Sequence, residues 1–574
     1  MSPLPVASSR QLRPIGALVL ILFVALLWLY PAVSLRLAFQ NDIAVHLRWV
    51  EQFYMSLQDG WLLPRWAHEA QGGLGDPSFF YYQPLFYYIT SFFVWLGVGP
   101  RRALVLAAAV PFLMVAGVVY WRFLRRYPQR TALLGAMFVV ACPTLFFMST
   151  HLAAFPWSLS IPFSLLFALE SMRDKPRARV LAPLLALICL SHLLSGMMTI
   201  LCTGLARLIV FPPRAHTIRD HAAWLGGIVL GLALAAFFVY PAVTQMQLIN
   251  PDGWEQGFNW RRCFALPLVS QFVHGTYWFG VQWPFSLLCL GLVLLVLLPR
   301  SVRAGAQPLT PGMVKARRLA WVALCALVLG TELAYPLYAT LGPMQKLQFP
   351  YRFMFVASLL ASIALVMQLG EGAWKRWSKV TRIAAVLLIL GQCGQTALLE
   401  LKIARNGEPI KTHEQYFSGR FGQPEYLLGA RGPQWKDYAE NGSLAQDCAR
   451  LGVTCRDVDK RSHGYALTVD APGAVSLRLP VFGFPAWQAT LDGKAVEWRL
   501  DPATGAILVE VPAGQHAVAL RYVRLPVEVA GLWVSATALA VLLALLVLAR
   551  RRAGGAAALH LEGEPALQEA LKRA

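Results

Sequence analysis

Runs of about twenty apolar residues, separated by short stretches rich in arginine and lysine, constrain this chain more than any other feature. A run of about that length is what a helix needs to cross the hydrocarbon core of a bilayer. Such runs recur from 15–37 near the start to 527–549 near the end. Composition agrees. Of the 574 residues, 57% are hydrophobic and only 14% charged, where a soluble protein carries about 25%. The expected fold class is an α-helical polytopic membrane protein. The first run is too long for a secretory signal, and no small-residue cleavage site follows it, so it reads as a retained span.

A net charge of +21 would suit a nucleic acid if the positive residues formed one soluble face. Instead they cluster between apolar runs, at 122–130, 173–179, 300–318, 375–379 and 550–552, which is the positive-inside pattern. That pattern orders the spans as 15–37, 101–121, 131–149, 153–172, 178–193, 195–211, 221–243, 277–299, 319–340, 352–370, 382–400 and 527–549, about twelve in all, with both termini cytoplasmic. The apolar stretch 79–97 is left out, because a crossing there would carry Arg122, Arg125 and Arg126 outside. It is expected on the outer side as a juxtamembrane or re-entrant helix.

The chain then divides into a transmembrane domain, 1–400, with its first outer loop at 39–100, and an outer domain at 401–526. The final span and a cytoplasmic tail, 550–574, follow. The outer domain turns β-rich from about 464. The runs YALTVD, AVSLRLP, WQATLD, AVEWRL, AILVEV and HAVALRYV alternate, with a hairpin signal at Asp492-Gly493-Lys494. They predict a small C-terminal periplasmic β-sandwich. Seven of the nine cysteines scatter, mostly in apolar runs, as small hydrophobes. Cys448 and Cys455 lie close together in the polar stretch without zinc-site company, and outside the cytoplasm a disulfide is expected.

Residues 39–90 are the densest polar and aromatic cluster near the N-terminus. From Ile43 to Gln58 apolar residues recur at helical spacing, and Asp42 and His46 share one face. Gly60, Pro64, Gly72, Gly73, Gly75 and Pro77 then break the pattern. A carboxylate and an imidazole at a membrane surface are equipped for acid–base chemistry; the alternative is an interfacial helix whose charges face water. The topology gathers more polar residues on this side: Glu51, Arg65, Asp76, His151, His192, Glu255, Arg261, Arg262, His274, Lys346, Gln348, Arg352, His413, Glu414 and Glu425. Ionisable groups at membrane depth are costly and mark function. The competing reading for His192 is a bond to a neighbouring carbonyl, for Arg352 snorkelling, and for Arg261 and Arg262 contact with lipid headgroups.

The segments NDIAVHLRWVE, GWLLPRW and GLGDPSFFYYQPLFYYI resemble the first outer loop of the bacterial membrane proteins called 6-pyruvoyl-tetrahydropterin-synthase-related. SHLLSG, LQFPYRFM and QPEYLLG resemble further patches of that family, and PVFGFPAWQATLDGK with VPAGQHAVALRY is similar to the C-terminal β domain of related large membrane proteins. Nothing in the chain resembles a pterin enzyme. The family is similar to the GT-C superfamily of integral-membrane glycosyltransferases. That resemblance implies a polyprenyl-phosphate-linked sugar as donor and an acidic residue soon after the first span, the position Asp42 occupies.

What the resemblance implies is an inverting transferase of the bacterial inner membrane, working on its periplasmic face on a glycan, lipid or protein acceptor of the cell envelope. Asp42 would be the general base, and His46 would orient it or bind sugar. Arg352 and Lys346, then Arg65 and Arg261, would hold the lipid phosphate. His192 joins the substrate-binding set, and Trp66, Tyr81 and Tyr82 would wall the sugar. Asn41-Asp42 in place of paired acids implies a reaction without a metal or other cofactor. Two other readings stay open. A transporter or flippase of a lipid-linked glycan predicts inverted repeats and helices broken at mid-membrane. A non-catalytic assembly protein for envelope polysaccharide would keep the fold without the chemistry.

Overall fold

Leucine- and alanine-rich runs propagate helix, and in a bilayer every backbone group must be paired within its own segment, so helix persists even across internal prolines such as Pro111, Pro162 and Pro183. The computed structural model describes residues 14–28, 36–37, 41–214, 217–250, 260–266, 279–298, 308–406, 408–409, 426–429 and 431–573. Within them each expected span holds a helix. The chain opens with α1 (Pro14–Trp28), α2 (Asn41–Gln58), α3 (Leu85–Trp95), α4 (Pro100–Leu124) and α5 (Gln129–Val140). It continues with α6 (Phe155–Ser171), α7 (Ala178–Ser191), α8 (Leu193–Val210), α9 (Ile218–Leu234) and α10 (Ala236–Thr244). Then come α11 (Phe279–Leu297), α12 (Pro311–Leu329), α13 (Arg352–Gly370) and α14 (Lys379–Asn406). The outer domain adds α15 (Trp435–Asn441) and α16 (Leu444–Leu451), and the long α17 (Pro526–Arg573) closes the chain. By length and apolarity five helices suffice to cross a membrane, or up to eight if three bent pairs each count as one span.

Three details refine the expected topology. The stretch 79–97 yields a short turn of helix, Ser78–Tyr81, and the 11-residue α3. At about 1.5 Å per residue α3 is far shorter than a crossing, in keeping with a segment that stays on one side. The run 319–340 is not one helix. Thr310 and Pro311 start α12 earlier, with the Thr310 hydroxyl accepting from the Met313 N–H, and after Gly330 the chain turns by 72° into Glu332–Thr340. The cations at 315–318 disguised that start as loop. They sit inside the helix, and Arg317 reaches back to the Leu297 carbonyl. The run 221–243 likewise bends by 78° between α9 and α10. There Ser535 of α17 accepts from the Phe237 N–H and Arg65 donates to the Phe237 carbonyl, so side chains replace helical bonds at the bend. These two bends follow helices of 17 and 19 residues, roughly 26–29 Å of rise. A third pair, α5 with Pro143–Thr150, bends by 43° after a helix of 12 residues.

Two short strands, β1 (Arg36–Leu37) and β2 (Glu408–Pro409), pair antiparallel, joining the chain after α1 to the chain after α14. The outer domain is a sandwich of β3 (Thr454–Arg461), β4 (Gly464–Ala471), β5 (Val475–Phe482), β6 (Trp487–Leu491), β7 (Lys494–Val496), β8 (Trp498–Leu500), β9 (Ala506–Val511) and β10 (Gly514–Tyr522). One sheet runs β3-β4-β10-β6-β7 and the other β5-β9-β8. The strands therefore begin at 454, not 464. β3 is an edge strand, mostly exposed, whose sequence TCRDVDKR shows no alternation, so its register comes from β4 alone. AVEWRL is not one strand; it passes from one sheet to the other between β7 and β8. The Cys448–Cys455 disulfide is formed and ties α16 to β3. The core of the sandwich also takes in Trp66, Leu74, Phe80 and Tyr81 from the first outer loop.

Candidate active site

The first outer loop has two halves, and they do different things. In α2, Ile43, Leu47 and Val50 are buried and hold the helix against the bundle. Asp42 sits in its first turn, where the helix dipole favours a negative charge. The Asp42 side chain is exposed, yet the protein mass around it raises its carboxyl to about 6, against an opposing pull from Arg352. A group that solvent can reach but that sits deep among protein atoms lines a cleft. Tyr351 and Tyr87 lie within electrostatic reach of the same carboxylate.

His46, one turn along, is buried beneath the cleft rather than facing it. Its Nδ1 is 2.7 Å from the Tyr87 hydroxyl, and the rings of Trp49, Tyr82, Phe86 and Phe155 surround it. Burial pushes the imidazole down to about 3, with the backbone of Ala153 pulling weakly the other way. His46 is thus neutral at any ordinary pH and braces Tyr87. The expectation that it orients Asp42 or binds sugar is corrected: its ring is buried and bonds to Tyr87 and the Ala153 backbone.

Arg352 opens α13. Its guanidinium donates to the Leu347 carbonyl and the Gln348 side chain at 3.2 and 3.3 Å and packs over the Trp157 and Phe349 rings. Trp157 also stacks on His192, at 5.7 Å between ring centres. His192 caps α8 by accepting from the Ser195 N–H through Nδ1. Arg261 packs over Trp260 at 4.6 Å. Its segment is tied to Arg352's by the bond from the Tyr351 N–H to the Cys263 carbonyl. Lys346 is exposed in the turn after Gly342–Gln345. Tyr82 stays with the cleft, 4.5 Å from Trp49 and within reach of Arg352's charge.

The second half of the loop, 59–81, is clamped to the outer domain. Arg65 is almost fully buried. Its Nε makes a 2.8 Å ion pair with Glu528 at the start of α17, and Nη2 takes the Phe237 carbonyl. His463 accepts through Nε2 from the backbone N–H groups of Arg65 and Trp66, and stacks on Trp61. Burial pushes the His463 imidazole down to about 3, which keeps it a neutral acceptor. Trp66 packs against Trp487 and Phe484. A Cβ at Gly75, whose φ is +75°, would stand 2.2 Å from the Trp66 ring nitrogen, so this close approach requires glycine. Asp76 caps the Ser78–Tyr81 turn by accepting from the Ser78 N–H and hydroxyl and from Gln71. The Tyr81 hydroxyl donates to the Gln245 carbonyl. Arg65, Trp66 and Tyr81, expected in the substrate site, are therefore structural. A cation already neutralised by a buried carboxylate, and a ring closed into a core, have no face left for substrate.

The residues around the cleft that sequence reasoning missed are Trp49, Tyr87, Trp157, Tyr351 and Tyr426. Trp49 was findable, since it continues the Asp42–His46 face of α2 by one turn. Tyr426, in QPEYLLG, packs against Trp49 and Tyr82 at 5.9 and 6.1 Å and stacks on Tyr81. Trp157 gave no signal inside an apolar run. Glu255, His274, His413, Glu414 and Glu425 lie outside the described residues, as does the side chain of His151. Among the described residues no group of three or more His, Cys, Asp or Glu is arranged to hold a metal ion. What remains is an accessible carboxylate that burial raises to about 6, a guanidinium within its electrostatic reach, and aromatic walls.

A family model described as 6-pyruvoyl-tetrahydropterin synthase related domain, membrane protein, matches residues 79–399. The matched part includes Tyr81, Tyr82, His192 and Arg352 and leaves out Asp42 and the sandwich. No curated protein matches the sequence. Among solved structures, the arabinofuranosyltransferase AftD from Mycobacteria is 13% identical with a TM-score of 0.43, covering 88% of this chain and 40% of that one. ArnT from Cupriavidus metallidurans, bound to undecaprenyl phosphate, is 14% identical with a TM-score of 0.40, covering 69% of this chain and 73% of that one. Both likenesses are distant, and this chain spans about two fifths of the AftD length.

Proposed function

The chain belongs to the 6-pyruvoyl-tetrahydropterin synthase related family of membrane proteins, and from that premise we propose that it is an inverting membrane glycosyltransferase. The observation that carries the proposal is Asp42, reachable by solvent, raised by burial to about 6, and within electrostatic reach of Arg352. A base works best when its pKa lies near the operating pH. Asp42 takes the proton of the acceptor hydroxyl as that oxygen bonds to the anomeric carbon from the far side. The bond from that carbon to the donor's phosphate oxygen breaks, and the electron pair leaves with the phosphate. Arg352 supplies fixed positive charge for the departing oxygen. Lys346 and Arg261, on segments joined to Arg352's, supply more. Tyr82 and Tyr426, both half-buried, offer ring faces to a sugar.

The donor is a polyprenyl-phosphate sugar and the acceptor a hydroxyl of an envelope glycan, lipid or protein, on the periplasmic face of the bacterial inner membrane. The positive charge the reaction needs resides on arginine, so the proposal includes no metal. The flippase reading asks for helices broken at mid-membrane; three helix pairs are bent, by 43°, 72° and 78°, so the test carries a transport arm.

The test uses the full chain in lipid nanodiscs supplied with labelled polyprenyl-phosphate sugars and an envelope extract as acceptor. Label is expected to enter a new glycosidic bond. In liposomes, donor crossing the bilayer without a new bond would replace the transferase with a flippase. Neither outcome, with envelope glycan still lost from cells lacking the protein, would leave the assembly-protein reading.

A further inference from the structure

A second cavity lies at the other end of the helices that carry the Asp42 site. Phe155, whose ring centre is 5.4 Å from that of His46, begins α6, and Arg352 begins α13. Glu170 and Met367, near the far ends of those two helices, line the cavity. At 1.5 Å per residue the two places are about 22 Å apart along the bundle.

The cavity has a volume of about 440 Å³, within the range of small-ligand sites. Its mouth carries Arg122, Arg126, Arg173, Lys175, Lys315 and Arg318 against two carboxylates, Glu170 and Asp174. Those carboxylates are already engaged. Arg177 holds Glu170 through both oxygens at 2.8 Å, with Arg173 at 3.6 Å, and Arg318 holds Asp174 at 2.8 Å. Arg126 pairs with Glu371. Arg122 is different. Its Nε is buried without a hydrogen-bond partner among the described residues, and the carboxylate in its electrostatic reach is the occupied Glu170. A buried donor without a partner costs free energy that a ligand oxygen recovers. Below the cations the wall is apolar, formed by Phe123, Leu165, Leu319 and Ile363.

We propose that this cavity binds a phosphate group, and that the apolar wall beneath the cations suits the headgroup of a phosphate-bearing membrane lipid. Guanidinium forks match phosphate oxygens geometrically, and basic pockets between membrane helices hold anionic headgroups in the same way. The site is separate from the Asp42 cleft, and its existence does not depend on the transferase reading.

The test measures binding to the full chain in detergent by native mass spectrometry, using dioctanoyl phosphatidic acid, dioctanoyl phosphatidylcholine and inorganic phosphate. Phosphatidic acid is expected to bind more tightly than phosphatidylcholine. Arg122→Gln and Lys315→Gln are each expected to weaken phosphatidic acid about fivefold, and Arg122→Lys much less. Asp174→Asn frees Arg318 and is expected to tighten binding, a gain that a misfolded variant cannot produce. Because these substitutions sit far from Arg352, a loss cannot arise at the Asp42 cleft. Phosphatidic acid exceeding inorganic phosphate would assign the ligand to lipid; equal affinity would assign it to soluble phosphate, and both support the site. Phosphatidylcholine binding as tightly as phosphatidic acid, or phosphatidic acid binding unchanged in both Gln variants, would overturn it.

Discussion

The two halves of the first outer loop look alike as sequence and differ as chemistry. Residues 41–58 and 59–81 are both rich in aromatic and ionisable side chains. In the first half, Asp42 stays exposed and feels Arg352 across a cleft. In the second, Arg65 is closed against Glu528, and His463 caps the backbone of Arg65 and Trp66. The difference lies in the partner. The clamping residues arrive from the outer domain and from α17, some four hundred residues later in the chain. Residue type marks such a loop as busy; only the arriving partner decides whether a charge is spent on holding the fold or left free to act.

The sharpest way to break this comparison is at Arg65. Removing one member of a buried ion pair strands the other charge, at a cost of roughly 3–5 kcal/mol. Arg65→Met is therefore expected to lower the melting temperature strongly and to expose the outer domain to protease. Adding Glu528→Leu is expected to restore much of the loss, because the stranded carboxylate is then gone. A folded Arg65→Met protein with its stability intact and its donor affinity reduced would return Arg65 to the substrate site and erase the distinction between the halves.

Asp42 is expected to behave in the opposite way. Asp42→Asn keeps the shape and removes the base, so transfer falls by about 10²-fold or more while the melting temperature holds. Transfer at the parent rate in folded Asp42→Asn would remove Asp42 from the chemistry. His46, buried and neutral, could not replace it.

Much of this was legible in the sequence, and the rest was not for physical reasons. Hydropathy and charge located every apolar helix that the described residues contain, and the cysteine spacing found the disulfide. The fold does bring Asp42 and Tyr82 within electrostatic reach of Arg352, and the sequence could single them out because a carboxylate and a guanidinium beside apolar spans have few bland uses. Arg65 was misread because the sequence does not reveal Glu528 as its partner. The start of α12 was misread because Arg317 and Arg318 satisfy themselves on neighbouring carbonyls while remaining helical. Trp157 was invisible, since a tryptophan among apolar residues looks like core.

The pH dependence sharpens the comparison further. Burial raises the Asp42 carboxyl to about 6 and Arg352 holds it from rising more. The base form therefore dominates above pH 6, and transfer is expected to fall as the pH drops through that value. Arg352→Gln removes the restraining charge, so the falling limb is expected to move to higher pH, by roughly a unit at the low end of what a nearby cation does. Donor binding should weaken as well, since phosphate is charged before and after transfer. A limb that stays put in Arg352→Gln would show that the two groups do not act together, whatever the loss of rate.

The smallest expected effect is at Tyr426, the residue that touches both halves. Its ring packs on Trp49 and Tyr82 beside the cleft and stacks on Tyr81 in the clamped half, at 15° between planes. An aromatic pair is worth about 0.5–1.5 kcal/mol beyond its buried area. Tyr426→Leu keeps an apolar side chain and loses those ring contacts. Its cost is expected to appear partly as a small drop in melting temperature and partly as a few-fold fall in kcat/KM, with Tyr426→Phe retaining most of both. If Tyr426→Leu lowers stability alone, Tyr426 belongs with the clamp and the cleft ends at Tyr82. If it lowers transfer alone, the ring serves the sugar and the clamped half ends at Tyr81. A loss in both, restored by Phe, means that the outer domain's hold on residues 59–81 reaches the cleft through one ring.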